Sequence, residues 1–228
     1  MKTIGLIGGM SWESTALYYR IINRETARRL GGLHSADILL HSVDFAPIEE
    51  LQRHNDWPET GRILALSARR LAAGGAELIG ITSNTMHLVL DEVSAGLELP
   101  FIHIADPTAD ALLADGFSRV GLLGTRFTME MPFLKDRLAA RGLEVLVPEV
   151  EVTNLNGIIY EELVKGIVRD ASRDVYVRAI ERLAQRGAEA VILGCTEIGM
   201  LIDDAASPLP VFDTTELHAR ALVDTALA

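Results

Sequence analysis

The chain has 228 residues, 49% hydrophobic and 23% charged, with 21 Lys+Arg against 32 Asp+Glu and a formal net charge of −11. A globular chain of this size buries about 70–75% of its unfolded surface and needs no disulfide or metal staples. The acidity excludes a nucleic-acid backbone as the expected partner, a lone Cys195 excludes a disulfide framework or CxxC site, and no apolar run approaches membrane-spanning length.

From Met1-Lys2 the chain passes into Thr3-Ile4-Gly5-Leu6-Ile7-Gly8, which reads as a strand and not as a signal peptide, so the expected location is the cytoplasm. Short apolar runs at 3–8, 37–43, 77–82, 101–104, 119–123, 143–147, 189–193 and 210–212 read as strands. Segments of helical period lie between them: Trp12 to Leu30, Thr60 to Ala73, Thr128 to Ala140, Asn156 to Val168 and Arg173 to Gln185. Strands alternating with helices predict parallel βαβ units and an α/β fold. Several strand runs are apolar throughout, as parallel strands covered on both faces should be.

An internal repeat sharpens this organisation. Arg70-Leu71-Ala72 followed by Gly75-Ala76-Glu77 is echoed by Arg182-Leu183-Ala184 and Gly187-Ala188-Glu189, at an offset of 112. Ile4-Gly5-Leu6-Ile7-Gly8-Gly9 is echoed by Val120-Gly121-Leu122-Leu123-Gly124-Thr125, at an offset of 116. Two pseudo-symmetric domains follow, each expected to be a parallel-sheet αβα sandwich. The expected boundaries are 1–102 plus 213–228 for the first and 103–212 for the second, with the helix Thr214 to Leu227 exchanged back onto the first.

Ligands of open parallel sheets bind beyond the carboxyl ends of the strands. Four loops fit: Gly8-Gly9-Met10-Ser11, Thr82-Ser83-Asn84-Thr85, Gly124-Thr125-Arg126-Phe127-Thr128 and Gly194-Cys195-Thr196-Glu197. Each opens towards a helix, where backbone N–H groups and hydroxyls suit a carboxylate ligand. The repeat sets Ser83 opposite Cys195, so that two facing halves would present them to one ligand from opposite sides. A lone cysteine at a strand end is by itself more often packing than chemistry; its place in the repeat and its neighbours favour function. Gly5-x-x-Gly8-Gly9 does not fit GxGxxG, which argues against a dinucleotide cofactor. The six histidines lack ligand spacing, so no metal is expected. His87 either lines the pocket or caps a turn. His103 and Asp106 read as interdomain structure, and Arg69-Arg70 as a solvated helix face.

These motifs, spread over essentially the whole chain, resemble the aspartate/glutamate racemase family. The resemblance implies cofactor-independent isomerisation of a small amino acid, independent of pyridoxal phosphate, in a homodimer of two-domain subunits. In that family a cysteine before Asn-Thr and a cysteine before Thr-Glu flank the substrate's α-carbon, one removing the α-proton and the other returning one. The resemblance makes Ser83 and Cys195 the catalytic pair. Asn84, Thr85 and Thr196 match residues that hold the α-carboxylate and amino group, with Glu197 beside them. Met10, Gln52, Thr125 and Lys165 fall where substrate contacts are expected, Lys165 as a partner for a side-chain carboxylate.

Position 83 departs from the two-cysteine pattern. A thiol titrates near 8.5 and can be tuned lower, whereas a serine hydroxyl without a dedicated partner is a poor base. It can still deliver a proton to a carbanion, and one branch of the family carries threonine here. By that resemblance Cys195 takes the proton of the L-enantiomer. A weak partner slows inversion in both directions equally, because both share one transition state; rapid α-proton exchange with slow inversion is the expected signature. The alternatives are a one-cysteine decarboxylase or isomerase of the same superfamily, such as an arylmalonate decarboxylase, and a non-catalytic amino-acid sensor.

Overall fold

The structure is a computed structural model describing residues 1–228. Its elements run β1 (Ile4–Gly8), α1 (Trp12–Leu30), β2 (Ile38–Ser42), α2 (Phe45–Arg53), α3 (Trp57–Ala73), β3 (Leu78–Ile81), α4 (Leu90–Ser94), α5 (Ala105–Ala114) and β4 (Arg119–Gly124). They continue with α6 (Arg126–Glu130), α7 (Pro132–Ala139), β5 (Glu144–Leu146), α8 (Val152–Glu161), α9 (Asp170–Gln185), β6 (Ala190–Gly194), β7 (Val211–Asp213) and α10 (Thr214–Leu227). Short 3-10 turns occupy Thr85–Val89, Leu163–Lys165 and Ile198–Met200. The chain divides into two compact units, Met1–His103 with His218–Ala228, and Ile104–Leu217.

Both units are built on parallel sheets, of order β2-β1-β3 in the first and β5-β4-β6-β7 in the second. The shared order β2-β1-β3 and β5-β4-β6 makes the sequence repeat a structural one, and the class is α/β. The echoed residues do the same work in each unit. Glu77 N–H donates to Thr3 O at 2.9 Å while the Glu77 carboxylate accepts from Thr3 N–H at 2.8 Å. Glu189 N–H donates to Arg119 O at 2.8 Å, and its carboxylate accepts from the N–H groups of Ser118 and Arg119 at 2.9 Å. Each glutamate thus staples the start of a third strand to the start of a first.

Alternation along the strands sorts side chains between two helical layers. In the first unit Ile7, Ile79 and Ile81 pack with Leu64, Ala68 and Leu71 of α3. Ile4, Leu6 and Leu78 pack on the opposite face with Tyr18 and Ile22 of α1 and Ala219, Leu222 and Val223 of α10. In the second unit Leu123, Val191 and Leu193 face Tyr176, Ile180 and Leu183 of α9, while Val120, Leu122 and Ile192 face α5 and α7. At roughly 1.5–3 kcal/mol per fully buried large apolar side chain, these layers supply the main driving force for each sandwich.

Three expectations need correction. The run 101–104 is not a strand: Pro100 lacks an N–H, Phe101 forms only an isolated parallel bridge to Ile79, and the chain turns into α5 four residues later. The helix expected over Thr128 to Ala140 is two helices, because Pro132 forces Met131 into extended backbone, φ −77° and ψ 153°. The helix expected over Asn156 to Val168 starts at Val152 and ends at Glu161, and the turn after it closes on a left-handed Gly166. Arg69 and Arg70 are both exposed, as a solvated helix face requires.

Candidate active site

In the first unit the candidate residues cluster where β1 and β3 end. Gly9 has φ +97°, and a Cβ there would lie 2.1 Å from Val43 O, so only glycine lets the loop after β1 turn this tightly. Ser11 then caps α1, accepting from Ser14 N–H at 3.4 Å. A run of buried hydroxyls joins this loop to the one after β3. Thr15 Oγ1 accepts from Gly9 N–H at 2.8 Å and lies 3.1 Å from Thr82 Oγ1, and Ser14 Oγ donates to Thr82 O at 3.0 Å. Ser83, Asn84 and Thr85 follow, all buried, with Met10 buried in the apolar cluster that also holds Met86. Gln52 is buried on α2. His87 lies one turn beyond Ser83, and its Nδ1 donates to Ser83 O at 2.8 Å.

In the second unit β4 and β6 end side by side, with Gly124 in register with Gly194. A Cβ on Gly124 would lie 2.8 Å from Gly194 O, and one on Gly194 2.7 Å from Leu123 O, so the two glycines permit this approach. It brings the loops that carry Thr125 and Cys195 out together. The Thr125 hydroxyl caps α6, accepting from Thr128 N–H at 3.2 Å and pairing with Thr128 Oγ1 at 3.1 Å. Cys195 is 8% exposed, and its Sγ donates to Glu197 Oε2 at 3.0 Å. Thr196 Oγ1 donates to the same oxygen at 2.5 Å. Lys165 stands exposed at the end of its 3-10 turn, whereas Leu163 of the same turn packs into the Cys195 cluster.

The electrostatics around Cys195 are anionic. Burial first, then the Glu197 carboxylate, pushes the thiol well above its ordinary value, and Asp213 adds to the effect. Tyr176, packed in the same cluster, is pushed up by burial and then by Cys195 and Glu197. Asp213 is itself raised to about 6 by burial, against hydrogen bonds from the start of α10 that favour its charge. The resting group is therefore a neutral thiol hydrogen-bonded to a carboxylate. No three His, Cys, Asp or Glu side chains converge as a metal site would require.

Several residues around these loops carried no sequence signal. Tyr176 and Asp213 reach Cys195 from distant elements, and His218 and Tyr18 lie near His87 only through the packing of α10 and α1 on the first sheet. The His103 ring packs against that of His87, tilted by 58° with centroids 4.7 Å apart. Asp106 pairs with Arg137 through two bonds of 2.7 Å within the second unit.

Two parallel α/β sandwiches of matching strand order, with a thiol–carboxylate pair at one strand end and a hydroxyl at its counterpart, set the context for comparison with known proteins. The family model for Asp/Glu/Hydantoin racemases matches residues 7–222, and the chain belongs to that family. It is 49% identical to a Yersinia pestis protein described as a candidate Asp/Glu racemase, with all of both chains covered and a TM-score of 0.92. It is 37% identical to an aspartate racemase homologue of Pyrococcus horikoshii, again over all of both chains, with a TM-score of 0.84. It is 22% identical to the broad specificity amino-acid racemase RacX of Bacillus subtilis, over 99% of this chain and 98% of that protein. No helix is long and apolar enough to cross a membrane.

Proposed function

We propose that the protein is a cofactor-independent racemase of aspartate, glutamate or a related small amino acid. Cys195 takes the α-proton from the L-enantiomer, and Ser83 returns a proton to the other face. The observation that carries this reading is the 3.0 Å bond from the Cys195 thiol to Glu197, at the strand end that the repeat equates with the end bearing Ser83.

That bond supports the use of a buried thiol as base by giving its proton a place to go. Bare ionisation would add a charge where burial and two carboxylates oppose it. Moving the proton from Sγ to the Glu197 carboxylate keeps the local charge at −1, so the penalty for burying an extra anion does not arise. The thiolate then removes the α-proton and becomes a thiol again. The carbanion takes a proton from the Ser83 hydroxyl; the resulting alkoxide takes one from water and Glu197 gives its proton back to water, which restores both groups to their starting state. Asn84, Thr85 and Thr196 are assigned to the substrate's α-carboxylate and ammonium, and Met10, Gln52 and Thr125 to its flanks. Lys165, exposed and outside every ion pair of the chain, is assigned to a side-chain carboxylate.

Chiral chromatography of L- and D-aspartate and L- and D-glutamate incubated with the purified protein tests the reading. Interconversion lost in Cys195→Ala is expected; unchanged interconversion in that variant overturns the assignment. The neutral resting thiol also suits a second reading, a one-cysteine decarboxylase in which Cys195 protonates an enediolate. Release of carbon dioxide from an aryl-substituted malonate, without interconversion of amino acids, would favour it. The racemase reading further has the enzyme working in the cytoplasm as a homodimer without pyridoxal phosphate. Light scattering and the absorbance spectrum of the purified protein check the assembly and the cofactor.

A further inference from the structure

The first unit contains three clustered histidines that the racemase reading leaves unused. The rings of His87 and His103 have centroids 4.7 Å apart and those of His87 and His218 5.6 Å, and all three side chains are buried. Their hydrogen bonds fix where the protons sit. A backbone carbonyl only accepts, so the His87 Nδ1 that lies 2.8 Å from Ser83 O carries a proton. By the same rule His218 Nε2 donates to Ile102 O at 2.8 Å, and its Nδ1 accepts from the Tyr18 hydroxyl at 2.8 Å. Burial, reinforced by the neighbouring His87, lowers His218 to about 3, so this part of the cluster stays neutral.

His87 holds two consecutive carbonyls. Its side chain binds Ser83 O, and its backbone N–H donates to Asn84 O at 3.1 Å. The carbonyl before them, Thr82 O, is held by Ser14 Oγ at 3.0 Å. The main chain on both sides of Ser83 is thereby fixed, and with it the direction of the Cα–Cβ bond. The second unit does this differently. Its position matching His87 at the 112-residue offset is Gly199, which has no side chain, and Cys195 is held through its own sulfur by Glu197.

We propose that His87, backed by His103, His218 and Tyr18, is a positioning residue that aims the Ser83 hydroxyl for the reprotonation step. The proposal rests on the racemase reading above. Its consequence is selective. Exchange of the α-proton of an L-amino acid with solvent uses Cys195 alone, whereas inversion also needs Ser83.

The test follows L-aspartate and L-glutamate in D2O by proton NMR for exchange and by chiral chromatography for inversion. His87→Phe keeps a ring in the cluster but removes the donor; His87→Asn keeps an amide N–H near the position of Nδ1. His87→Phe is expected to slow inversion at least tenfold while exchange changes less than threefold, and His87→Asn to recover most of the inversion. An equal fall in both rates in His87→Phe, or no fall in either, overturns the proposal. Nitrogen-15 NMR of the histidine rings tests the anchor without turnover: a proton on His87 Nδ1 supports it, and a proton on Nε2 alone overturns it. Absence of exchange from either enantiomer in the unsubstituted protein, with Nδ1 protonated, overturns the racemase reading and the proposed consequence while leaving the anchor standing.

Discussion

Where β3 ends, the chain presents a hydroxyl among hydroxyls, amides and imidazoles; where β6 ends, it presents a thiol among carboxylates. The backbone device is shared, a parallel strand closing into a 3-10 turn at Thr85–Val89 or Ile198–Met200. The chemistry of the surroundings is opposite. His87 fastens Ser83 through its carbonyl, and Glu197 fastens Cys195 through its sulfur. Burial drives titratable groups towards neutrality in both places, lowering His218 to about 3 and raising Asp213 to about 6. The comparison teaches that a duplicated fold can keep its strand ends and turns while surrounding one with carboxylates and the other with imidazoles, the difference on which the proposed division between proton removal and proton delivery rests.

The largest effect should come from removing the thiol. Cys195→Ala is expected to lower both α-proton exchange and inversion by about a thousandfold or more, since on the racemase reading the Cys195 thiolate is the group that takes the α-proton. Isothermal titration with aspartate should still detect binding, which separates lost chemistry from a lost site. Glu197→Gln removes the proton acceptor but keeps a hydrogen-bonding partner. It is expected to lower exchange and inversion together by roughly a hundredfold, in the range of a lost general base. Ser83→Cys sharpens the comparison from the other side: inversion is expected to rise about tenfold, with exchange from the L-enantiomer nearly unchanged.

The smallest effects concern stability and pH. His218 has a folded pKa of about 3, below its ordinary 6.5, so the unfolded chain binds the extra proton and stability is lost as pH falls from about 6.5 towards 3. Asp213 has a folded pKa of about 6, above its ordinary 3.8, so the folded chain binds the extra proton and stability is lost as pH rises through that window. Urea denaturation across pH 3–8 should show the two slopes opposing each other between about pH 4 and 6. Asp213→Asn, which can still cap α10, is expected to remove the descending contribution and gain about 1–2 kcal/mol at pH 8. His218→Gln is expected to flatten the acid limb.

Much of this comparison was legible in the sequence because it depends on local pattern. The apolar runs marked the strands of both sheets, and the Arg-Leu-Ala and Gly-Ala-Glu echoes paired Ser83 with Cys195. The expected helices included neither α2 nor α5, each of which carries a proline (Pro47, Pro107) in its first turn, where a missing N–H costs no helical bond. The run at 101–104 misled because β-rich composition says nothing of whether a neighbouring strand continues beside it. The bond from Cys195 to Glu197 depends on the turn geometry after β6. The contacts among Tyr18, His87, His103 and His218 join residues as many as 200 positions apart, with no periodicity to announce them. His87 was visible as a residue near Ser83, but its two carbonyl bonds were not.

The most direct test of the central claim is the fate of the α-proton when L- and D-aspartate and L- and D-glutamate are incubated with the protein in D2O and followed by proton NMR. The account predicts rapid loss of the α-proton signal from an L-enantiomer at Cys195 and slow appearance of the D-form through Ser83. Exchange and inversion proceeding at the same rate from both enantiomers would contradict the division of labour between the two strand ends, and no exchange from either would contradict the racemase reading itself.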